Sequence, residues 1–211
     1  MKKTMIWLCL ILLLVCGAAL AEAQQDEAAQ EEAQEGEIVL GEGEILMHGY
    51  IDPVTGYYLG VPADWAILGP GSTATNLAEA VDIMEDVDVY GIFRSFGEKD
   101  SYLMCRNKDG AGVTVTYGSS DGVTNDTLID AMEDIQAQLS ASLSGLVFKE
   151  DSGKYSFKGV MDILFLDMSY KNTSIFQYYM VTGSQMYVFT FTNTPLDIAQ
   201  TVLSTFAMSN A

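Results

Sequence analysis

The chain has 211 residues, 49% of them apolar, and its 29 acidic side chains outweigh ten Lys and Arg to give a net charge of −19. That length fits one domain with appendages, and that apolar fraction is enough for a core. So acidic a chain is not expected to bind nucleic acid or an anionic membrane surface, since both call for basic patches.

The N-terminus has the layout of a secretory leader. Lys2 and Lys3 form a positive start, Ile6–Val15 is an unbroken apolar run, and Ala19-Leu20-Ala21 offers a small-x-small cleavage site with the cut after Ala21. The run is short for a bilayer span, which takes about 20 residues. An uncleaved anchor is the alternative and the only route to a membrane. Cys16 follows Leu14-Val15, without the small residue that a lipoprotein signal places before its cysteine. Loss of residues 1–21 removes Cys9 and Cys16 and leaves Cys105, so no internal disulfide is expected. This suits a bacterial exported protein, secreted or held at the envelope, whose domain folds on core packing alone.

Residues 22–44 carry nine acids and no base, padded with Ala and Gln, with Gly36, Gly41 and Gly43 near the end. Low hydrophobicity with one sign of charge reads as a disordered, solvated spacer. A cation-binding or partner-binding tail is the alternative. Residues 45–211 are then the folded domain.

Within it, Ile45–Tyr50 and Tyr57–Val61 flank Asp52-Pro53-Val54-Thr55-Gly56 and read as a hairpin. Trp65 is expected in the core, and Gly69-Pro70-Gly71 marks a turn. Asn76–Glu85 reads as a helix with Leu77, Ala80, Val81 and Met84 inward, its start capped by Thr73, Thr75 or Asn76. Val87–Phe93 reads as a strand, with Val87, Val89 and Gly91 on one face. Gly97–Asp100 is a charged turn. Tyr102–Arg106 and Val113–Tyr117 form a second hairpin through 107–112, the latter strand half exposed at Thr114 and Thr116. Asn125–Leu143 carries Leu128, Met132, Ile135, Leu139 and Leu143 at helical spacing, and Gly145 stops it. Leu146–Lys149 is a short strand and Glu150–Lys154 a polar turn. Gly159–Tyr170, Ser174–Gly183 and Gln185–Asn193 read as three strands. In the last, Tyr187, Phe189 and Phe191 share one face. Pro195–Phe206 closes the chain as a helix. Thr194 is its expected N-cap, Asp197 its capping-box acid, and Leu196, Ala199, Val202, Leu203 and Phe206 the apolar stripe that covers the aromatic face. The order predicts an α+β fold, a single mostly antiparallel sheet with helices packed on its faces.

Few residues offer chemistry. Beyond the leader the chain has one thiol, Cys105, and one imidazole, His48, both on expected strands and neither in a motif. A Cys105–His48 hydrolase is the third reading of function. No Gly-x-Ser-x-Gly elbow, phosphate loop or dinucleotide fingerprint occurs, and one histidine does not make a His-rich zinc site. No catalytic residue, metal ligand or cofactor is therefore assigned. Asp82, Glu85, Asp86 and Asp88 cluster at a helix end, and Asp121 and Asp126 flank a loop. Either group is a weak candidate for calcium or a plain acidic patch, and neither has the spacing of a known calcium loop. Met47, Met84, Met104, Met132, Met161, Met168, Met180 and Met186 read as core fillers, with a Met-lined pocket as the alternative. Tyr155, Tyr170, Tyr178 and Tyr179 are candidates to edge an aromatic groove.

The stretch Gly56-Tyr57-Tyr58-Leu59-Gly60-Val61-Pro62-Ala63-Asp64-Trp65 resembles the G-[FY]-x-[FI]-x-[YV]-P-x-x-W opening of the PsbP/Mog1-like α/β/α sandwich proteins. The ending is similar as well: the strand Tyr187–Thr192, then a helix closing in Ser204-Thr205-Phe206. The resemblance implies the sandwich fold over most of residues 50–206. That group holds photosystem accessory proteins, a nuclear transport factor and many uncharacterised bacterial exported proteins, so it implies no single activity. None of its ion-binding or partner-binding residues has a matching motif here. The sequence thus points to an exported, non-catalytic binding or accessory domain for a protein or small-molecule ligand, with a calcium-type cation-binding envelope protein as the alternative.

Overall fold

A computed structural model of the chain describes residues 37–38, 46–95 and 102–208. The leader with its cut after Ala21, most of the 22–44 spacer and the Gly97–Asp100 turn lie outside the described residues. In chain order the strands are β1 (Glu37–Ile38), β2 (Met47–Ile51), β3 (Tyr57–Pro62), β4 (Ala66–Leu68), β5 (Tyr102–Arg106), β6 (Gly112–Ser119), β7 (Leu146–Phe148), β8 (Gly153–Phe157), β9 (Met161–Tyr170), β10 (Thr173–Thr182), β11 (Gln185–Thr192) and β12 (Ala207–Met208). The helices are α1 (Ala74–Ile83), α2 (Val89–Ser95), α3 (Asn125–Asp130), α4 (Met132–Ser142) and α5 (Leu196–Thr205). The chain divides into two compact units. One is Val115–Thr194; the other joins the residues before Val115 to those from Pro195 on.

The class is α+β and the strand pairing is antiparallel, but the strands form more than one sheet. The order β1-β2-β3-β12 makes a sheet of its own. Its cause is local: β3 pairs with β2 along one side, and along the other Ala207 and Met208 pair with Tyr58 and Tyr57. Both sides of the first hairpin are thus paired, by β1 on β2 and by β12 on β3. β1 pairs Glu37 with His48 and Ile38 with Met47, so two residues of the stretch read as spacer are sheet.

The β2–β3 turn is organised by Asp52, which is fully buried. Its Oδ1 accepts from the N–H of Val54 (3.0 Å), the N–H of Thr55 (2.7 Å) and the Thr55 hydroxyl (3.0 Å). An Asx-type turn of this kind gives the loop the hydrogen bonds that a strand ladder no longer supplies. Tyr50 donates its hydroxyl to the Pro70 carbonyl at 2.9 Å, which ties the hairpin to the Gly69–Gly71 turn. Trp65 is buried as expected, and Ala66–Leu68, which no expectation covered, pairs with β5.

α1 starts at Thr73, and the capping choice is settled by a reciprocal pair. The Thr73 side chain accepts from the Asn76 N–H at 3.2 Å, and Asn76 Oδ1 accepts from the Thr73 N–H at 2.8 Å. Ala80 and Met84 point inward, but Val81 is exposed. The segment read as the strand Val87–Phe93 is instead the helix α2. Asp88 decides it: its Oδ1 accepts from the Gly91 N–H at 2.9 Å, and its carbonyl takes the Ile92 N–H at 3.0 Å. That is an N-cap, and Val89, Ile92 and Phe93 then pack at helical spacing with Leu68, Ala80 and Met84.

In the Val115–Thr194 unit the strands run β6-β11-β10-β9-β7, with β8 on the same side of β9 as β7. Pairing is in register from Ile175↔Thr192 to Thr182↔Gln185, and from Thr173↔Tyr170 to Tyr179↔Leu164. The expected single helix over Asn125–Leu143 is two, α3 and α4. The chain tightens at Ala131 (φ −89, ψ 8), though Ala131 N–H to Thr127 and Ile135 N–H to Ala131 remain helical bonds. Leu128, Ile135 and Leu139 pack with Leu164, Leu166, Met168, Tyr179 and Val188 on one sheet face. α3 is latched to the sheet by Asn125. Its Oδ1 accepts from the Val181 N–H (2.7 Å) and its Nδ2 donates to the Val181 carbonyl (3.1 Å), where β9–β10 pairing has ended. Gly153 and Lys154, the end of the expected turn Glu150–Lys154, instead open the strand β8, and a turn falls at Lys158–Val160.

Both faces of β11 are buried, not the aromatic one alone: Met186, Val188 and Thr190 are as enclosed as Tyr187, Phe189 and Phe191. α5 does present Ala199, Val202, Leu203 and Phe206 inward, while Leu196 is exposed. Its contacts within its own unit are with β3. Phe206 packs against Tyr57 with ring centroids 5.7 Å apart, and the Thr205 hydroxyl accepts from the Gly60 N–H at 2.7 Å. The expected cap is corrected. Thr194 turns its hydroxyl back to the Thr192 carbonyl, so Pro195 holds the N-cap position without a side-chain bond.

Candidate functional site

Cys105 lies on β5, buried, directly across from Ile67 of β4. Burial pushes its thiol well above the ordinary range, so the thiolate that nucleophilic chemistry needs is disfavoured there. His48 lies on β2, paired with Val61, at the half-buried end of a different sheet. No hydrogen bond joins the two side chains. A nucleophile and its base must lie within about 3 Å of each other, so the hydrolase reading has no assembled site among the described residues.

The acidic cluster is drawn apart into separate local roles. Asp82 pairs with Lys108 at 2.9 Å and Asp86 with Arg106 at 2.8 Å, which pins the region around α1 to the β5–β6 turn. Asp88 caps α2, and Glu85 is exposed. Asp82 holds the Lys108 ammonium above the ordinary lysine range, first by hydrogen bonding and then by its charge. Asp121 accepts from the Ser119 hydroxyl at 2.8 Å, whereas Asp126 sits in the first turn of α3, where the helix dipole favours an acid. Among the described residues, no group of three or more His, Cys, Asp or Glu is placed to hold a metal.

The tyrosine quartet does not form a groove. Tyr178 and Tyr179 are core residues pointing to opposite sides of β10. Tyr178 stacks on Phe165 at 4.7 Å and meets Phe191 edge-on at 6.0 Å; half-buried Tyr155 closes the row, 5.2 Å from Tyr178. Tyr170 is half-buried at the β9–β10 turn, where it carries Lys171 over its ring at 5.1 Å. Of the eight methionines read as core fillers, Met47, Met84, Met168, Met180 and Met186 are buried, whereas Met104, Met132 and Met161 are half-buried.

Two polar groups escaped the sequence reading. Gln177, fully buried inside the run Ile175–Val181, donates to the Thr190 hydroxyl at 3.0 Å and accepts from the Tyr179 hydroxyl at 2.7 Å. Asp167, buried on β9, is met by the half-exposed Lys149 at 2.9 Å, and Lys149 also lies over the Phe176 ring at 5.8 Å. In both cases the available signal was a polar residue inside a strand otherwise apolar on both faces. Neither set couples a nucleophile to a base. They satisfy buried polarity, which costs little once it is hydrogen-bonded.

No family model matches the chain, and no curated protein matches it. Among solved structures the chain is similar to the solution structure of cyanobacterial PsbP (CyanoP) from Synechocystis sp. PCC 6803. The identity is 13%, the TM-score 0.46, and the match covers 82% of this chain and 98% of that one. At that identity and score it bears on no activity, location or site residue.

Proposed function

We propose that the chain is an exported, non-catalytic binding or accessory domain, acting at the bacterial cell envelope or outside the cell on a protein or small-molecule ligand. The leader-like start and the acidic stretch after it support the export half of this reading. The placement of Cys105 carries the other half: the chain's one thiol beyond the leader is sealed inside a sheet with its ionised form disfavoured and no base bonded to it. Three of the four clustered carboxylates, Asp82, Asp86 and Asp88, serve ion pairs and a helix cap, which is why the cation-binding alternative takes second place.

The decisive experiment follows the full chain in an exporting bacterial host. N-terminal sequencing of the extracytoplasmic fraction is expected to begin at Glu22; a chain found only in the cytosol with Met1 intact overturns the proposal. For the non-catalytic half, iodoacetamide is expected to label folded Cys105 no faster than the protein unfolds. Fast labelling that also abolishes hydrolysis of a general ester or peptide substrate contradicts it.

A further inference from the structure

β8 pairs with β9 from Gly153↔Phe165 to Phe157↔Met161, and among the described residues no strand pairs with its other side. The backbone groups of alternate residues therefore face outward, the arrangement that templates another strand. Lys154 and Ser156 are exposed on this edge, and Tyr155 ends the aromatic row there half-buried. Lysine on an edge usually repels a newcomer. Whether it does so here depends on what is set opposite it.

A second copy joined by a two-fold axis through the sheet would meet the edge antiparallel. Directly opposed residues must point to the same face, so a residue can oppose only residues of the same odd or even position in the strand. Three registers then preserve most of this five-residue strand. Centred on Lys154, that residue opposes its own copy. Centred on Ser156, Lys154 falls at the end of the second copy's strand, beside Lys158 in the turn that follows. Both set like charges against each other, which destabilises a strand pair. Centred on Tyr155, Lys154 opposes Ser156, Gly153 opposes Phe157, and the two Tyr155 rings meet at the axis and continue the aromatic row. Across the joint the row reads Asp162, Ser156, Lys154, so each Lys154, already 2.9 Å from Asp162 of its own chain, faces a second carboxylate across the axis.

We propose that two copies of the chain associate edge to edge through β8, in the register centred on Tyr155. No lysine is set against a lysine there, and each Lys154 shares a row with Asp162 of the other copy, beyond Ser156. Opposing this is the net negative charge of both copies, which salt screens. Association therefore strengthens from low to moderate ionic strength.

The test is molar mass by light scattering on the chain recovered after export, over a concentration series at two salt levels. The expected result is a mass that doubles with concentration, more readily at the higher salt. Ser156→Lys sets a lysine against Lys154 and returns the single-chain mass. Adding Lys154→Glu to that variant restores opposite charges and the doubled mass. Both positions are exposed, so the fold is kept. A single-chain mass for the unaltered protein throughout the series overturns the proposal, as does a doubled mass that Ser156→Lys leaves intact. A double variant that stays single overturns the register.

Discussion

In the Val115–Thr194 unit, β9, β10 and β11 run for ten, ten and eight residues and are buried on both faces through their middles. In the other unit, β2 and β3 run for five and six residues, and Gly49 sits directly across from Gly60. The long strands are held by area: each adds several large side chains to the core, at roughly 1.5–3 kcal/mol apiece. The short hairpin buries fewer such residues per strand, Met47, Tyr50, Tyr57, Leu59 and Val61 in all, and adds individual contacts to them. Asp52 shapes its turn, the Tyr58 ring lies over Gly49, and the Thr205 hydroxyl takes the Gly60 N–H where β12 does not reach. Damage should accordingly be graded by size in both cores, with hydrogen bonding as a second scale in the hairpin.

The largest effect expected is in the cores themselves. Phe189→Ala and Phe206→Ala should each cost about 3–5 kcal/mol in urea unfolding, because both rings are enclosed and leave cavities. A loss under about 1 kcal/mol for either would show that its surroundings collapse freely and that area is not what holds that unit. Next comes Asp52→Ala, expected to cost about 1–3 kcal/mol by leaving the Val54 and Thr55 N–H groups without their acceptor. Asp52→Asn keeps an Oδ1 and should recover much of that; equal losses for the two would place the importance of Asp52 in its charge.

These expectations bear on what could be read without coordinates. The first hairpin, the closing helix and the three long strands are written in apolar spacing, and the structure bears out their existence. What failed did so for local reasons. Val87–Phe93 alternates well enough to read as strand, yet one carboxylate, Asp88, caps it into a helix. Gly153–Phe157 is short and half polar, so its first two residues were read into the turn Glu150–Lys154 and the rest were assigned to no element. The single-sheet expectation failed at the first hairpin, whose strands pair with β1 and with Ala207–Met208, two short segments without a pattern. Among candidate site residues, sequence adjacency gathered Asp82, Asp86 and Asp88, but distant Lys108 and Arg106 divide them. Pairing over such separations leaves no periodicity to detect.

Smaller effects refine the contrast. Thr205→Val, which keeps the shape and removes the hydroxyl, should cost about 1 kcal/mol and speed hydrogen exchange at Gly60. An unchanged exchange rate there would mean that β12, not Thr205, guards the edge of β3. The smallest change is expected at the surface. Lys108→Ala should alter stability only at low salt, since the pair with Asp82 is exposed and screened. Asp82 raises the lysine's proton affinity on folding, so the pair's contribution is complete below the ordinary lysine value and disappears as pH climbs through the raised one. Melting curves of the two proteins should converge above that range.

Asn125 offers the chain a built-in gauge. Its amide presents to Val181 the same donor and acceptor that a neighbouring strand would, so the sheet gains one extra rung made of a side chain. The Val181 N–H can exchange its proton with deuterium only when the start of α3 lifts away. Timing that single exchange would therefore clock how often the helix releases its grip, without any label being introduced.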